Sequence, residues 1–419
     1  MLFAILSPLY LAATVYFIYE TFKWIDALSL ATTGKGRLSK AAKILSGIVI
    51  GIGTFSPAAA LLIPADISKD IFPGLWLFRR ILKTLGNYHL GIFIYVGLAF
   101  AVIWLIRLFE RRVLRKQGYT KEEIKSKWFS RKYAIQGLCT VAGIAVIVTI
   151  GVLGAHRLVV KNYDITVTKS SENIDDMRIV LISDLHIGIN TLNRHVEEMV
   201  DLINEQNPDL VVIAGDIFDN EYTALEDPEE TARLLKSIKS KYGVYAVYGN
   251  HDVEELLIGG FTFGHKRGSS KEMDNLLKKA DIKLLLDEGV MIDDSIYLYG
   301  RLDYSKLAEG VSRRKTPEEI TEGINRDIPI VVIDHQPREL DELSEAGVDI
   351  DLCGHTHDGQ FFPMNITSRL LVWENSAGYL QRGNLHNIVS AGVGLYGPNM
   401  RVGTRPDICV IDVHFRKMQ

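Results

Sequence analysis

Cysteine is scarce in this 419-residue chain, which contains only Cys139, Cys353 and Cys409. Cys139 lies inside an apolar run, so the sequence excludes a disulfide framework. A bond between Cys353 and Cys409 is the alternative, but buried free thiols are the favoured interpretation. The chain also lacks internal repeats and low-complexity linkers, which argues against a repeat architecture.

Residues 155–419, the second part of the chain, contain no excess of basic over acidic residues. Residues 1–154 contain 19 Lys and Arg against 7 Asp and Glu, whereas the remaining residues contain 28 against 44. The net charge of −4 therefore hides a basic part and an acidic part. Because nucleic-acid binding relies on Lys and Arg neutralising phosphates, the acidic part excludes nucleic acid as a partner.

Long apolar runs are abundant in the basic part. Four of them, residues 2–19, 44–64, 87–109 and 134–154, approach the ~20 residues that a helix needs to cross a bilayer. The first run lacks the basic start and the cleavage site of a signal peptide. We therefore predict an all-α, four-helix transmembrane module over residues 1–155, and an interfacial amphipathic helix in IFPGLWLFRRILKTLG. Core helices of a large soluble domain are the alternative.

The distribution of Lys and Arg between these runs predicts their orientation. Residues 20–43 contain five Lys and Arg, and residues 110–133 contain nine. Positively charged loops remain in the cytoplasm, so four crossings place residues 156–419 outside it. The predicted location is the cell membrane, with a multi-pass chain and an extracytoplasmic second domain. One span more or fewer would reverse this orientation.

Residues 156–419 alternate short β-branched runs with helix-like segments. Six such runs precede residue 360: RIVLIS, LVVIAG, VYAVYG, IYLYG, IPIVVID and VDIDLCG. This alternation predicts an α/β domain in which helices cover the faces of a sheet. After residue 360, LLVWEN, NIVSAGV and DICVIDVHF have no helices between them, which predicts a second and more antiparallel sheet.

Polar clusters follow five of these predicted strands directly. The clusters contain seven residues with metal-ligating side chains: Asp184, His186, Asp216, Asn250, His335, His355 and His357. Sites form at the carboxyl ends of strands in open α/β sheets. A single histidine at a strand end is usually structural, and a single aspartate before a helix is usually an N-cap. Five clusters in the same position relative to a strand are not explained in that way.

The ligand types predict divalent transition metals. Carboxylate, amide and imidazole ligands suit Mn, Fe or Zn, and the absence of cysteine argues against a closed structural zinc site. Seven ligands are too many for one ion, so we predict two divalent ions about 3.5–4 Å apart with a bridging carboxylate. Apart from His251 in the NHD cluster, the other six histidines are expected to be structural: His89, His156, His195, His265, His386 and His414.

The motifs DLH, GDIFD, GNHD, a later lone His and GHTH, in this order, resemble the calcineurin-like metallophosphoesterase superfamily. The resemblance covers roughly residues 160–415 and is closest to the bacterial membrane-anchored YkuE-like branch. It implies a four-layer fold of two β-sheets flanked by helices, an α+β sandwich in residues 156–419. Many members have GHTHGGQ, whereas this chain has Asp358 in place of the first glycine, which leaves fine substrate preference open.

The resemblance also implies a role for each site residue. One metal would bind Asp184, His186 and His357, the other would bind Asn250, His335 and His355, and Asp216 would bridge them. His251 would protonate the leaving oxygen, with Asp252 orienting its imidazole. Arginine forks match phosphate oxygens, so Arg301 and Arg401 are candidate substrate-binding residues, with surface salt bridging as the alternative for each.

Two functions remain open at this point. The first is a membrane-anchored, manganese- or other metal-dependent hydrolase of phosphomonoesters, phosphodiesters or pyrophosphates. It would act through a metal-activated hydroxide on a phosphorylated small molecule, a lipid or an envelope precursor. The second is a membrane sensing or transport protein with a metal-binding regulatory domain. The motifs leave the substrate, the ester class, the metals and the oligomeric state open.

Overall fold

The computed structural model describes all residues except 1, 34–36, 65–66, 68, 129–130, 254–255, 259–260, 264–268, 308–310 and 417–419. The chain forms two compact units. Residues 1–63 and 81–150 form the helical unit, and residues 64–80 and 151–419 form the α/β unit. The predicted boundary after residue 155 is close to this division. The segment 64–80, which the prediction placed in the membrane module, belongs instead to the α/β unit.

The described residues among the first 155 form five helices. They are α1 (Leu2–Thr33), α2 (Arg37–Ala60), α3 (Pro73–Lys116), α4 (Lys121–Trp128) and α5 (Arg131–Ala155). Among the described residues, three segments are long and apolar enough to cross a membrane: Ser39–Ala60, Pro73–Lys116 and Lys132–Ala155. The predicted amphipathic helix and third span are thus one continuous helix. The first predicted span lies in α1, and it stays a prediction because the side chains of residues 1–6 lie outside the described part.

A charged pair is buried inside the helical unit. Arg107 donates to Glu20 at 2.9 Å and to Gln136 at 2.6 Å. The rings of Phe17 and Trp24 stack on Phe100 beside this pair, with centroids 5.1 Å apart in both cases. Ionisable residues in apolar helices pair with one another because an isolated charge is costly there.

Within the described residues, the α/β unit contains two six-stranded sheets and a two-stranded antiparallel sheet. The first sheet has the order β1-β14-β2-β3-β4-β7, and the second has the order β12-β13-β11-β10-β9-β8. The strands are β1 (Val159–Val167), β2 (Asp176–Ile182), β3 (Leu210–Ala214), β4 (Val244–Val247), β5 (Leu256–Ile258), β6 (Phe261–Phe263), β7 (Ile282–Leu284), β8 (Glu288–Ile292), β9 (Ile296–Gly300), β10 (Ile330–Ile333), β11 (Ile350–Cys353), β12 (Gly378–Arg382), β13 (Leu385–Val389) and β14 (Asp407–Phe415).

Helices cover the outer faces of both sheets. They are α6 (Asn193–Glu205), α7 (Pro228–Lys236), α8 (Lys271–Lys279), α9 (Pro317–Ile320) and α10 (Leu340–Glu345), whereas the short α11 (Met364–Thr367) has no buried residue. A π-helical turn, Ser368–Val372, continues α11.

Successive side chains of each strand point to opposite faces of its sheet, and the buried apolar ones form three layers. In β2, Val180 packs toward α6–α8, whereas Leu181 faces the second sheet. In β10, Val331 faces the first sheet, and Val332 packs with α10. The result is the predicted order of helices, sheet, sheet and helices, so the four-layer fold is confirmed.

Two details of the strand prediction are wrong. Residues of LLVWEN form part of the π-helical turn instead of a strand. The centre of the second sheet is parallel, because β9, β10, β11 and β13 run in one direction and only the edge strands β8 and β12 are antiparallel. DICVIDVHF forms β14, which joins the first sheet between β1 and β2.

We predict that Leu352→Ala destabilises the α/β unit by about 3 kcal/mol, because it opens a cavity between the two sheets. Leu352 is fully buried there. Leu286 has an exposed side chain, and Leu286→Ala should cost less than about 1 kcal/mol. Urea unfolding of the full chain in detergent measures both variants. Equal midpoints for the two variants would contradict the assignment of this core.

Candidate metal centre

The carboxyl ends of strands from both sheets converge on one group of side chains. Strands β2, β3 and β4 are parallel neighbours in the first sheet, and β10 and β11 are parallel neighbours in the second. The segments that follow these five strands carry the seven predicted ligands: Asp184, His186, Asp216, Asn250, His335, His355 and His357. The two sheet edges therefore bring together residues that are up to 173 positions apart.

The backbone of these segments adopts an uncommon conformation. Asp184, His186, Asp216, His355 and His357 have φ values of 50°, 43°, 51°, 71° and 48°. Non-glycine residues in this left-handed region are costly and concentrate at functional sites. Backbone hydrogen bonds hold the segments together, since Asp184 N–H donates to Gly215 O at 2.9 Å and His186 N–H donates to Asp216 O at 3.0 Å.

The first ligand cluster consists of Asp184, His186 and His357. Each offers one ligand atom, and these atoms all lie within 4.8 Å of one another. His186 Nε2 lies 3.1 Å from His357 Nε2, and His357 Nε2 lies 3.4 Å from an Asp184 carboxylate oxygen. All three residues are buried.

The second ligand cluster consists of Asp216, His335 and His355, whose ligand atoms also lie within 4.8 Å of one another. His335 Nε2 lies 3.1 Å from His355 Nδ1. Asn250 Oδ1 lies 3.1 Å from the same His335 nitrogen. The amide of Asn250 therefore adds a fourth oxygen or nitrogen ligand to this cluster.

The Asp216 carboxylate lies between the two clusters. Its Oδ2 atom is 3.2 Å from His335 Nε2 and 3.8 Å from His186 Nε2. Its Oδ1 atom accepts a hydrogen bond from the His251 backbone N–H at 2.7 Å. One carboxylate is thus within reach of both ligand groups, as a bridging ligand must be.

The chemistry of the donors fits two divalent cations. Pairs of imidazole nitrogens face each other at 3.1 Å inside a buried site, an arrangement that a shared cation stabilises. The remaining nitrogen of His335 donates to Ala214 O at 2.8 Å, so its Nε2 is left as the ligand atom. The Asp219 carboxylate lies 3.8 Å from His186 Nδ1. That distance is too long for a hydrogen bond, whereas the carbonyl partner of His335 is of the kind that orients a metal-ligating histidine.

Burial and neighbouring charges shift the pKa values of the ligands in opposite directions. Burial raises the pKa of Asp216, but His335 and His251 outweigh it, and the pKa lies well below its usual range. Burial lowers the pKa of His335, but Asp216 outweighs it and raises this pKa well above normal. Burial and then His335 lower the pKa of His355 to about 3. Since neutral imidazole binds metals, His355 is ready to act as a ligand at neutral pH.

His251 lies beside the two clusters and has a polar partner of its own. Its ring centroid lies 5.3 Å from that of His186. His251 Nδ1 is hydrogen-bonded to Asn220 Oδ1. An amide oxygen only accepts hydrogen bonds, so Nδ1 carries the proton in this pair. Burial lowers the pKa of His251.

The Asp252 carboxylate accepts hydrogen bonds from the backbone. It accepts from the N–H groups of Phe218 and Gly249, both at 2.8 Å. Burial and then the nearby Asp216 raise the pKa of Asp252 to about 7. Asp252 thus holds the loops after β3 and β4 together. The family resemblance implied that Asp252 orients the His251 imidazole, but Asn220 makes the contact with that ring.

Comparison with known proteins agrees with this geometry. Residues 177–359 match the family model described as calcineurin-like phosphoesterase. Within these residues the chain is similar to the calcineurin-like phosphoesterase family. The resemblance inferred from the motifs is thereby confirmed, and we call the α/β unit the phosphoesterase unit below.

Relatives of this chain occur in animals and bacteria. The transmembrane protein with metallophosphoesterase domain of Danio rerio is 30% identical over 276 residues, which cover 63% of this chain and 61% of that protein. The uncharacterized metallophosphoesterase Cj0846 of Campylobacter jejuni is 26% identical over 268 residues, 62% of this chain and 64% of that protein. The uncharacterized metallophosphoesterase YkuE of Bacillus subtilis is 26% identical over 270 residues, which cover 62% of this chain and 86% of that protein. The chain thus spans less than two thirds of the length of the first two of these relatives.

Both candidate substrate-binding arginines are buried, so surface salt bridging does not explain them, and their role in substrate binding stays a prediction. Arg301 is fully buried and donates to Asp334 at 2.9 Å and to Glu339 at 2.8 Å. Arg401 is 1% exposed and donates to backbone carbonyls, including Ala391 O and Gly394 O at 2.8 Å. Its guanidinium also contacts the first ligand cluster, since one of its nitrogens lies 3.2 Å from His357 Nδ1. Burial lowers the pKa of Arg401 to about 10.

Sequence analysis missed three residues beside the centre. Asn220 binds His251, as described above. The Tyr396 ring lies 4.8 Å from the His251 ring and 5.8 Å from the His186 ring. Arg338 is exposed, and its positive charge lowers the pKa of His355 after burial and His335. Two of them could have been found from their positions in the sequence, because Asn220 directly follows the GDIFD motif and Arg338 lies three residues after His335.

The remaining histidines have ordinary partners where the structure describes them. His386 Nδ1 is bonded to Tyr379 at 2.9 Å, and His414 Nδ1 to Asp176 at 2.6 Å. His156 and His195 stack on each other with centroids 4.8 Å apart. His89 is bonded to Thr54 at 3.2 Å. His265 lies outside the described residues.

We predict that Asp216→Asn lowers the number of tightly bound Mn²⁺ ions from two per chain to one or none, because the amide removes the bridging negative charge. Elemental analysis of the full-length protein after loading and dialysis measures this number. Asp201 is exposed on α6, and Asp201→Asn is the matched control that should keep both ions. Two ions in both variants, bound with equal affinity, would exclude Asp216 as the bridge.

Proposed function

We propose that this protein is a membrane-anchored, dinuclear metal-dependent phosphoesterase that hydrolyses phosphomonoesters, phosphodiesters or pyrophosphates. The observation that carries the proposal is the Asp216 carboxylate, which lies between two buried ligand clusters and beside His251. The match of residues 177–359 to the calcineurin-like phosphoesterase family supports the same reaction class.

Two divalent ions held by these residues would supply charge that stabilises the phosphoryl group and activates water for in-line attack. The residues of the chain then have distinct tasks. The Asp184, His186 and His357 cluster holds one side of the centre, and the His335, His355 and Asn250 cluster holds the other. Asp216 fixes the distance between them.

His251 is the proposed proton donor to the leaving oxygen. Its Nδ1 is occupied by Asn220, so Nε2 is the atom left to transfer a proton. Burial lowers the pKa of the free ring, whereas a bound phosphate would raise it and favour the protonated form. The Tyr396 ring lies beside the His251 ring, with centroids 4.8 Å apart.

We place this enzyme in the cell membrane as a multi-pass protein with an extracytoplasmic phosphoesterase unit. Three described helical segments are long and apolar enough to cross a membrane, and relatives in Danio rerio and Bos taurus are named transmembrane proteins. The basic residues between the spans support the extracytoplasmic side. A membrane position favours a lipid or an envelope precursor as the substrate.

A membrane sensing or transport function is the second candidate. The buried pair of Arg107 and Glu20 in the helical unit is the observation that favours it, because ionisable residues inside apolar helices often mark a pathway or a switch. In this case the phosphoesterase unit would bind metals and regulate the helices.

We predict that the full-length protein, stripped by a chelator, regains hydrolysis of an aryl phosphate monoester or diester when Mn²⁺ is added. His251→Ala should lower kcat by about 10²–10⁴-fold, because the leaving group loses its proton donor. His195→Ala is the matched control, since His195 stacks on His156 and should leave kcat unchanged. Full biological activity of His251→Ala would favour the sensing or transport function.

We predict that Asn220→Ala lowers kcat by about 10-fold or more and leaves the metal content at two ions, because only the His251 ring loses its partner. Asn220→Asp should retain more activity, since its carboxylate can accept the same hydrogen bond. Steady-state kinetics with parallel elemental analysis checks both variants. Loss of metal in Asn220→Ala would show that Asn220 supports the ligands instead of the proton donor.

A further inference from the structure

The segment that follows the GHTH motif exposes an unusual amount of apolar surface. We call residues 361–373 the apolar turn. Leu370, Leu371 and Val372 are 73%, 81% and 65% exposed, and Phe362 and Met364 are also exposed. Folding leaves such contiguous apolar surface in water only at a cost, so it usually marks a docking site. The turn lies in α11 and the π-helical turn after it.

The apolar turn is fixed to the metal-centre loop by specific contacts. Arg369 donates to both carboxylate oxygens of Asp358, at 2.7 and 2.6 Å. Asp358 is the residue that departs from the usual GHTHGGQ pattern, and it directly follows the ligand His357. The Trp373 ring lies 5.3 Å from the ring of His355. The exposed side chains are therefore held at a set position beside the centre.

The apolar turn is also joined to the end of the last apolar helix. Phe361 pairs with Val402, and Phe362 N–H donates to Val402 O at 2.8 Å. The neighbouring Arg401 N–H donates to Gly151 O at 2.9 Å. Gly151 lies in the final turns of α5, within the segment Lys132–Ala155 that is long and apolar enough to cross a membrane. All these contacts are inside the phosphoesterase unit, so its apolar turn adjoins the point where a predicted span ends.

A second apolar edge lies in the segment 64–80 of the same unit. Its polar side chains face the domain: Arg79 pairs with Glu221 at 2.9 Å, and Arg80 donates to Gly188 O at 3.1 Å. These partners follow the DLH and GDIFD motifs. The apolar side chains of Ile71 and Phe78 are exposed instead. This separation of polar and apolar sides is typical of a segment that lies in a membrane interface.

We propose that the apolar turn and the segment 64–80 insert into the surface of the bilayer, and that the phosphoesterase unit therefore acts on phosphate esters of lipids that reside in that bilayer. Arg338, whose guanidinium lies 4.7 Å from the Trp373 ring, stands at the rim of the turn to receive an anionic head group. This inference rests on the proposed phosphoesterase function.

The insertion itself is tested without catalysis. The full-length protein carries Cys139→Ala, and an environment-sensitive fluorophore is attached to Leu371→Cys; Cys353 and Cys409 are fully buried and should not react. In phosphatidylcholine vesicles, spin-labelled lipids should quench this fluorophore by about twofold or more. A fluorophore at Asp201→Cys, on the exposed side of α6, should not be quenched. Equal fluorescence at position 371 with and without the spin labels would overturn the proposal.

The substrate class is tested with two esters in the same vesicles. Phosphatidic acid in the bilayer is compared with a soluble aryl phosphate. Leu370→Gln combined with Leu371→Gln should lower the ratio of lipid to soluble hydrolysis by about tenfold. Met291→Gln, at an exposed position on β8, should leave the ratio unchanged.

The outcomes separate the two proposals. If the wild-type protein hydrolyses neither ester with any divalent metal, the proposed phosphoesterase function fails, and quenching at position 371 still decides whether the turn inserts. If the soluble ester is hydrolysed but the double variant keeps the wild-type ratio, the lipid assignment fails alone.

Discussion

Burial of the Asp216 carboxylate among imidazoles is the interaction on which the centre depends. The charge of Asp216 raises the pKa of His335 against the effect of burial, and His335 in turn outweighs burial in lowering the pKa of Asp216. Two glycines permit this close approach. A Cβ atom at Gly249 would lie 2.3 Å from Asp216 Oδ1, and one at Gly215 would lie 2.6 Å from His335 Nδ1. The glycines of the GDIFD and GNHD motifs are thus needed for space beside the ligands.

The layered frame explains why the ligands can converge at all. Apolar residues of β2, β3, β10 and β11 fill the space between the sheets, and this packing fixes where the strands end. Each ligand-bearing segment begins at such an end, and the segments after β2, β3 and β11 turn through left-handed residues. Favourable packing of the sheets therefore offsets the cost of an unusual backbone at the centre.

Much of this arrangement was predictable from local patterns. Short β-branched runs followed by Asp, Asn or His mark both the strands and the ligands, because each pattern involves residues adjacent in the chain. The prediction failed where burial decided the outcome. LLVWEN has the composition of a strand, yet it forms an exposed helical turn held by Asp358 and Ser376. Arg301 and Arg401 follow site-like motifs, yet both are buried: carboxylates bind the Arg301 guanidinium, and backbone carbonyls and His357 Nδ1 bind that of Arg401.

The sequence by itself determined the family, the four-layer fold, the set of seven ligand candidates and the presence of apolar helices, because these depend on motifs and on periodic patterns along the chain. Only the tertiary structure decided which residues support the centre. Asn220 meets His251 from 31 positions away, and the apolar turn meets Val402 through a paired backbone. Such contacts depend on how the loops of two sheets pack, and no local pattern of residues specifies that packing.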